Sequence, residues 1–260
     1  MGIYVTADIH GNPFSRFSTD AFYEQKEFSK NKDENVCIIL GDFGIVWQND
    51  GESPEEKWKL DWLENKNFTT VFVDGNHDNH PRIYTYPVKE WNGGLVHEIR
   101  KHVLHLIRGE VYTIQGKKFF AFGGASSHDI QDGILDRKDF QSDAELVDEY
   151  RTRTLRGEMI RVNHMSWWAE EMPSHEEMDF GLSTLAEHDN QVDFVLTHCC
   201  PHEIESIFSC GDFEPDELTA YFDAVKNSID FTKWFFGHYH GNTQILDKFV
   251  MLYDQIVRVI

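Results

Sequence analysis

The chain has 260 residues, enough for one large domain with a well-buried core, and its 40% hydrophobic and 27% charged residues match ordinary globular usage rather than disordered or membrane-spanning chains. Its 24 basic residues against 45 acidic ones leave a formal net charge of −21. Sequence-independent affinity for nucleic acid comes mainly from Lys and Arg neutralising phosphates, so this balance disfavours long nucleic acid as a partner.

The first apolar run, IYVTADIHGN over 3 to 12, reads as a strand ending in a polar turn that carries Asp8, His10 and Asn12. A formal myristoylation pattern at Gly2 and Thr6 is expected to be empty, because Ile3, Tyr4 and Val5 run straight into that strand. Neither a signal peptide nor a membrane span is expected, since no window approaches about 20 apolar residues. Residues 20 to 31 read as helical. A second strand, VCIILGDFG over 36 to 44, ends at Gly41 and Asp42, and Ser53, Pro54 and Glu56 form a capping-box start for a helix through Glu64. The third strand, in TTVFVDGNHD over 69 to 78, ends at Asn76 and His77, with Asp78 and Arg82 just beyond.

EVYTIQGKKFFAFGGASS over 110 to 127 reads as a hairpin turning at Gln115 and Gly116, and His128 follows it. Residues 128 to 190 differ in kind, with mixed charge, the pair Trp167 and Trp168, and a second capping box from Ser174 to Glu177. They are read as a helical insertion beside the site, within a single domain spanning 1 to 260. A fourth strand, VDFVLTHCCPH over 192 to 202, ends at His198, and a helix follows Pro215 to near Asn227. WFFGHYH over 234 to 240 is the fifth strand and turn, with His238 and His240, and KFVMLYDQIVRVI is expected to add one or two edge strands. Cys37, Cys199, Cys200 and Cys210 form no CxxC pair and read as reduced thiols of a cytoplasmic protein. None is followed by Arg six positions later, which excludes a Cys-nucleophile phosphatase loop.

Continuous Val, Ile, Leu and Phe runs suit strands covered on both faces, and strand–helix alternation argues for an α/β class. Ligands of such folds collect beyond the C-terminal ends of the strands, so the polar turns are expected to meet. Together they offer carboxylates, imidazoles and an amide oxygen, a mixed N and O set that suits Mn, Fe, Zn or Ni better than Ca or Mg.

DxH at Asp8 and His10, GD at Gly41 and Asp42, GNHD from Gly75 to Asp78, the lone His198 and GHxH from Gly237 to His240 follow one another at strand ends. In this the chain resembles the calcineurin-like metallophosphoesterases over nearly its whole length, with 128 to 190 the least securely matched part. The resemblance implies a layered β-sandwich flanked by helices and a pair of divalent transition metals, Mn foremost, with Fe, Zn or Ni as alternatives. Asp8, His10 and His240 would hold one ion, Asn76, His198 and His238 the other, and Asp42 would bridge them. The implied reaction is hydrolysis of a small or nucleotide-like phosphomonoester or phosphodiester, by water acidified at the two metals and attacking in line. His77 would stabilise developing charge or protonate the leaving oxygen, with Asp78 a candidate to orient the site.

Asn12, Arg82 and His128 are candidate substrate contacts, each with a bland alternative as a turn or surface residue. Trp167 and Trp168 would either stack on a nucleobase or seal the insertion. The protein Ser/Thr phosphatases continue their second motif as GDxVDRG; here GDFGIVW puts Ile45, Val46 and Trp47 in those places, which weakens that substrate class. A nuclease of the same superfamily and a non-catalytic scaffold are the alternatives, the first opposed by the charge and the second by the complete ligand set. The oligomeric state is not legible.

Overall fold

A β-strand sends successive side chains to opposite faces. In the computed structural model, which describes residues 1–260, that alternation sorts the apolar residues into an inner core and two outer ones. β1 (Gly2–Thr6), β2 (Asn35–Leu40) and β3 (Thr69–Val73) lie parallel, with Val5, Ile38 and Val71 facing the inner core and Tyr4, Ile39 and Phe72 facing an outer one. Phe17 of α1 (Phe14–Phe17) and Leu60 and Leu63 of α2 (Pro54–Glu64) cover that outer face. α2 begins at the expected capping box, with the Glu56 N–H donating to Ser53 Oγ and the Glu56 carboxylate accepting the Ser53 N–H.

The expected helix over 20 to 31 is instead one 3-10 segment, Tyr23–Glu27. Phe22 and Phe28, six positions apart, would point to different faces of an α-helix. Here both pack on Tyr4, with ring centroids at 4.9 and 5.2 Å, and the Gln25 amide donates to the carbonyls of Phe17, Ser18 and Phe22.

After α3 (His80–Ile83) the chain adds β4 (Val88–Trp91), β5 (Gly94–Arg100) and β6 (Val103–Leu106), then opens the second sheet with β7 (Glu110–Ile114) and β8 (Lys117–Phe122). That hairpin turns at Gln115 and Gly116, whose φ of +50° and +76° fit the left-handed turn that a two-residue hairpin loop favours. Within 128 to 190, β9 (Gly133–Leu135) and β10 (Ile160–Val162) form a parallel pair that packs with α4 (Asp143–Leu155) around Leu135, Leu146, Ile160 and Val162. α5 (His175–Glu187) sends Met178 and Leu185 into the outer core of the second sheet.

β11 (Phe194–Thr197), α6 (His202–Ser209), α7 (Glu217–Ser228), β12 (Lys233–Phe236), β13 (Thr243–Ile245), β14 (Phe249–Met251) and β15 (Val257–Arg258) complete the chain. The sheet orders are β15-β1-β2-β3-β6-β5-β4 and β13-β14-β12-β11-β8-β7. Phe119, Ala121, Leu196 and Phe235 meet the first sheet in the inner core, while Phe120, Val195 and Trp234 meet α5, α6 and α7 outside. The result is the helix–sheet–sheet–helix sandwich expected. The C-terminal residues lie deeper than expected, since β14 sits between β12 and β13 and only β15 is an edge. No helix is long and apolar enough to cross a membrane.

One ion pair joins the sheets near the strand ends. Asp74, fully buried after β3, accepts from Arg108 Nε at 3.0 Å and from His105 Nε2 at 3.0 Å, and its carbonyl accepts the Gly124 N–H at 2.8 Å. Burial alone would raise the Asp74 pKa, but Arg108 and the imidazoles of His105 and His80 hold it well below the usual carboxylate range. Arg108→Met leaves that charge buried without its partner and is expected to cost about 3–5 kcal/mol in urea unfolding at neutral pH. The deficit should shrink in acid, where the stranded carboxyl takes up a proton; a loss below about 1 kcal/mol contradicts this account.

Candidate metal centre

The turns after the strands curl through the left-handed region, which costs an L-residue about 1–2 kcal/mol. Twelve non-glycine residues of the chain have positive φ, and Asp8, His10, Asp42, His238 and His240 are five of them. The turns are tied to one another, with the His10 N–H on Asp42 O at 2.9 Å, the Gly237 N–H on His198 O at 2.9 Å and the His238 N–H on Asp8 Oδ1 at 3.1 Å. Gly41 and Gly75 are required by proximity, because a Cβ at Gly41 would collide with His198 and one at Gly75 with Asp42 and His198.

In the deep half, His198 is fully buried and its Nδ1–H donates to Leu40 O at 2.7 Å. Its Nε2 therefore faces Asp42 Oδ1 and Asn76 Oδ1, each at 3.2 Å. The Asn76 amide cannot turn its NH₂ inward, because Nδ2 donates to Ser127 Oγ at 3.1 Å. Ser127 in turn gives its hydroxyl proton to Glu171 Oε2 at 2.6 Å and its N–H to Glu171 Oε1 at 2.9 Å. One nitrogen and two oxygens thus converge, a donor set that a cation draws together. Burial would lower the His198 pKa, yet Asp42 and then Asp8 outweigh it and push it up to about 10. Burial would raise that of Asp42, and His198 with His77 and His10 holds it far below its usual range. A proton on His198 partly answers the crowding; a divalent ion answers it fully, so the donor set fits a metal.

In the open half, Asp8, His10, Asp42 and His240 each bring a ligating atom within 4.8 Å of the others. His10 Nε2 stands 3.0 Å from His240 Nε2, and His240 Nε2 is 3.7 Å from Asp8 Oδ1. Burial depresses the pKa of His10 and of His240 despite Asp42, which favours the neutral imidazoles that a metal requires. Burial, aided by Asp42 and opposed by His198, pushes Asp8 up to about 7. The His238 ring lies 5.0 Å from that of His198, so all seven expected ligands are brought together.

The other candidates divide. His77 is half-buried beside them, its ring 5.6 Å from that of His10 and its N–H on Asp42 Oδ1 at 2.8 Å. Asp78 turns away from it and clips two loops, accepting the N–H groups of Gly44, Gly75 and Phe43 at 2.7, 2.8 and 3.2 Å. Burial and then Asp42 push its pKa up to about 8. Asn12 is exposed just past His10, its carbonyl accepting the Ser15 hydroxyl at 2.8 Å. Arg82 is committed elsewhere, donating to Thr85 Oγ1 at 3.2 Å and lying 4.9 Å from the Tyr86 ring centroid, because Asn79 caps the turn that carries it. His128 reaches the rim, its ring 5.2 Å from His238 and 5.0 Å from Phe213.

Trp168 is buried edge-on to Trp47 at 5.0 Å, which seals the insertion and removes it from any nucleobase. Cys199 and Cys200 pack in the second outer core, and His202 pairs with Glu205 at 3.3 Å. Ser127 and Glu171 were not singled out from the sequence. Ser127 lies in the visible GGASS turn, whereas nothing in the mixed-charge segment marks Glu171.

The family model described as calcineurin-like phosphoesterase matches residues 1–242, all five ligand-bearing turns included. No curated protein matches the chain.

Metal ions entering this centre must displace the proton of His198 and, below about pH 7, that of Asp8. Mn²⁺ affinity is therefore expected to rise from about pH 6 to about pH 8, measured by calorimetric titration with proton release; a flat or falling affinity contradicts it. Ser127→Ala frees the Asn76 amide to rotate and is expected to weaken divalent-metal binding about 10–100-fold while circular dichroism is unchanged. An unaltered affinity would remove Ser127 from this role.

Proposed function

The chain belongs to the calcineurin-like phosphoesterase family, and on that premise we propose that it hydrolyses phosphoric esters of small or nucleotide-like molecules at a two-metal centre. The observation that supports this reading most is the meeting of His198 Nε2, Asp42 Oδ1 and Asn76 Oδ1 next to the cluster of Asp8, His10 and His240. Asn76, His198 and His238 are assigned to the inner ion, Asp8, His10 and His240 to the outer, and Asp42 to both. Divalent ions held there, Mn²⁺ first among the candidates, would supply Lewis-acid charge and would lower the pKa of water to about 7.

The chain's own groups do the rest. Leu40 O fixes the tautomer of His198, and the His77 N–H fixes the Asp42 carboxylate. The His77 side chain, half-buried beside His10, delivers a proton to the leaving oxygen. No carboxylate orients it, since Asp78 is occupied by three backbone N–H groups. The large negative charge supports a small substrate over long nucleic acid, and the buried Cys37, Cys199 and Cys200 thiols are consistent with a reducing cytoplasm.

The test is phosphate release from p-nitrophenyl phosphate with Mn²⁺. Asp42→Ala is expected to abolish both turnover and tight metal binding, and activity surviving that change would refute the assigned site. His77→Ala should lower kcat by about 10²–10⁴ with metal content retained. Loss of both ions in that variant would make His77 a structural residue instead.

A further inference from the structure

Beside the ligand turns lies an open cavity of about 610 Å³, within the range of about 300–1,000 Å³ usual for small-molecule sites. It is continuous with the metal centre, because the rings of His238 and His240 line both. Much of its lining is apolar and aromatic, supplied by Phe208, Phe213, Tyr239 and Met251. Phe208 and Tyr239 are fixed in place, their rings packed at 4.8 Å and the Tyr239 hydroxyl donating to Glu205 at 2.9 Å. Phe213 and His128, both in the lining, pack with centroids 5.0 Å apart, and His128 lies 5.2 Å from His238.

The lining carries no Lys or Arg, and its one carboxylate is Asp212. Second phosphates and carboxylates of a substrate are ordinarily held by such cations, Arg above all. Here they would meet Asp212 and find none in the lining, whereas a lining rich in aromatic side chains suits an aromatic group.

We propose that this cavity receives a planar aromatic group joined to a single phosphate, so that the substrates are aryl phosphates or nucleoside monophosphates rather than sugar phosphates or nucleoside triphosphates. The inference rests on the hydrolytic reading for its turnover but not for its binding. Phenylphosphonate and methylphosphonate carry the same charged group and cannot be hydrolysed, so their affinities in the presence of Mn²⁺ report the cavity alone. Phenylphosphonate is expected to bind about tenfold more tightly, Phe213→Ala to erase most of that ratio, and Phe213→Tyr to keep it. Equal affinities, or a ratio untouched in Phe213→Ala, overturn the inference.

In turnover, phenyl phosphate or a nucleoside 5′-monophosphate should exceed glycerol phosphate and a nucleoside triphosphate in kcat/KM, and whichever of the first two is higher identifies the source of the ring. Glycerol phosphate turned over as well as both overturns the inference and leaves the hydrolytic reading standing. Selective phenylphosphonate binding with no ester hydrolysed supports the cavity and removes the hydrolytic reading.

Discussion

His198 Nε2 faces two oxygens, Asp42 Oδ1 and Asn76 Oδ1, at 3.2 Å each, and neither oxygen has a proton to offer. A metal ion, or in part a proton on His198, relieves that crowding, since buried acceptors turned on one another lose their water without compensation. The imidazole comes from the second sheet and the two oxygens from the first. The two sheets must therefore close face to face before the centre exists. The inner core, where Val5, Ile38 and Val71 meet Phe119, Leu196 and Phe235, fixes that closure.

Closure alone would not aim the side chains. The left-handed residues at Asp8, His10, Asp42, His238 and His240 each work against local backbone preference. They persist because neighbouring turns exchange backbone hydrogen bonds and because Asp78 gathers three N–H groups from two of those turns. Burial and Asp42 push the Asp78 pKa up to about 8, against the bonds it accepts from Gly44 and Gly75. Asp74 works in the opposite electrostatic sense, as a carboxylate kept charged by Arg108. Two buried acids four residues apart thus serve the same turn by opposite means.

Much of this was legible in the sequence because the ligands sit where strands stop. Strands covered on both faces leave continuous apolar runs, and the polar residues that end them stand out, as at Asp8, Asp42, Asn76, His198 and His238. What escaped depends on partners distant in sequence. The bond from Ser127 to Glu171 spans 44 residues and ends in a segment without hydrophobic periodicity. β9 and β10 have three residues each, too few for alternation to register. Phe22 and Phe28 override a helical reading by packing on the same tyrosine, and Arg82 is drawn to Tyr86 by a cap at Asn79.

The 128 to 190 segment gains a role from the same geometry. Glu171 is buried, and burial pushes its pKa up to about 7 against the two bonds it accepts from Ser127. Those bonds commit the Ser127 proton, which leaves Ser127 Oγ only as an acceptor for Asn76 Nδ2. The direction of the Asn76 amide is thus set one residue at a time from a segment outside both sheets. Glu171 takes both the hydroxyl proton and the N–H of Ser127, and so leaves Asn76 Nδ2 the donor to Ser127 Oγ. The segment and the centre form one hydrogen-bonded unit, and a displacement of the short turn that carries Glu171 would be felt first at the Asn76 oxygen.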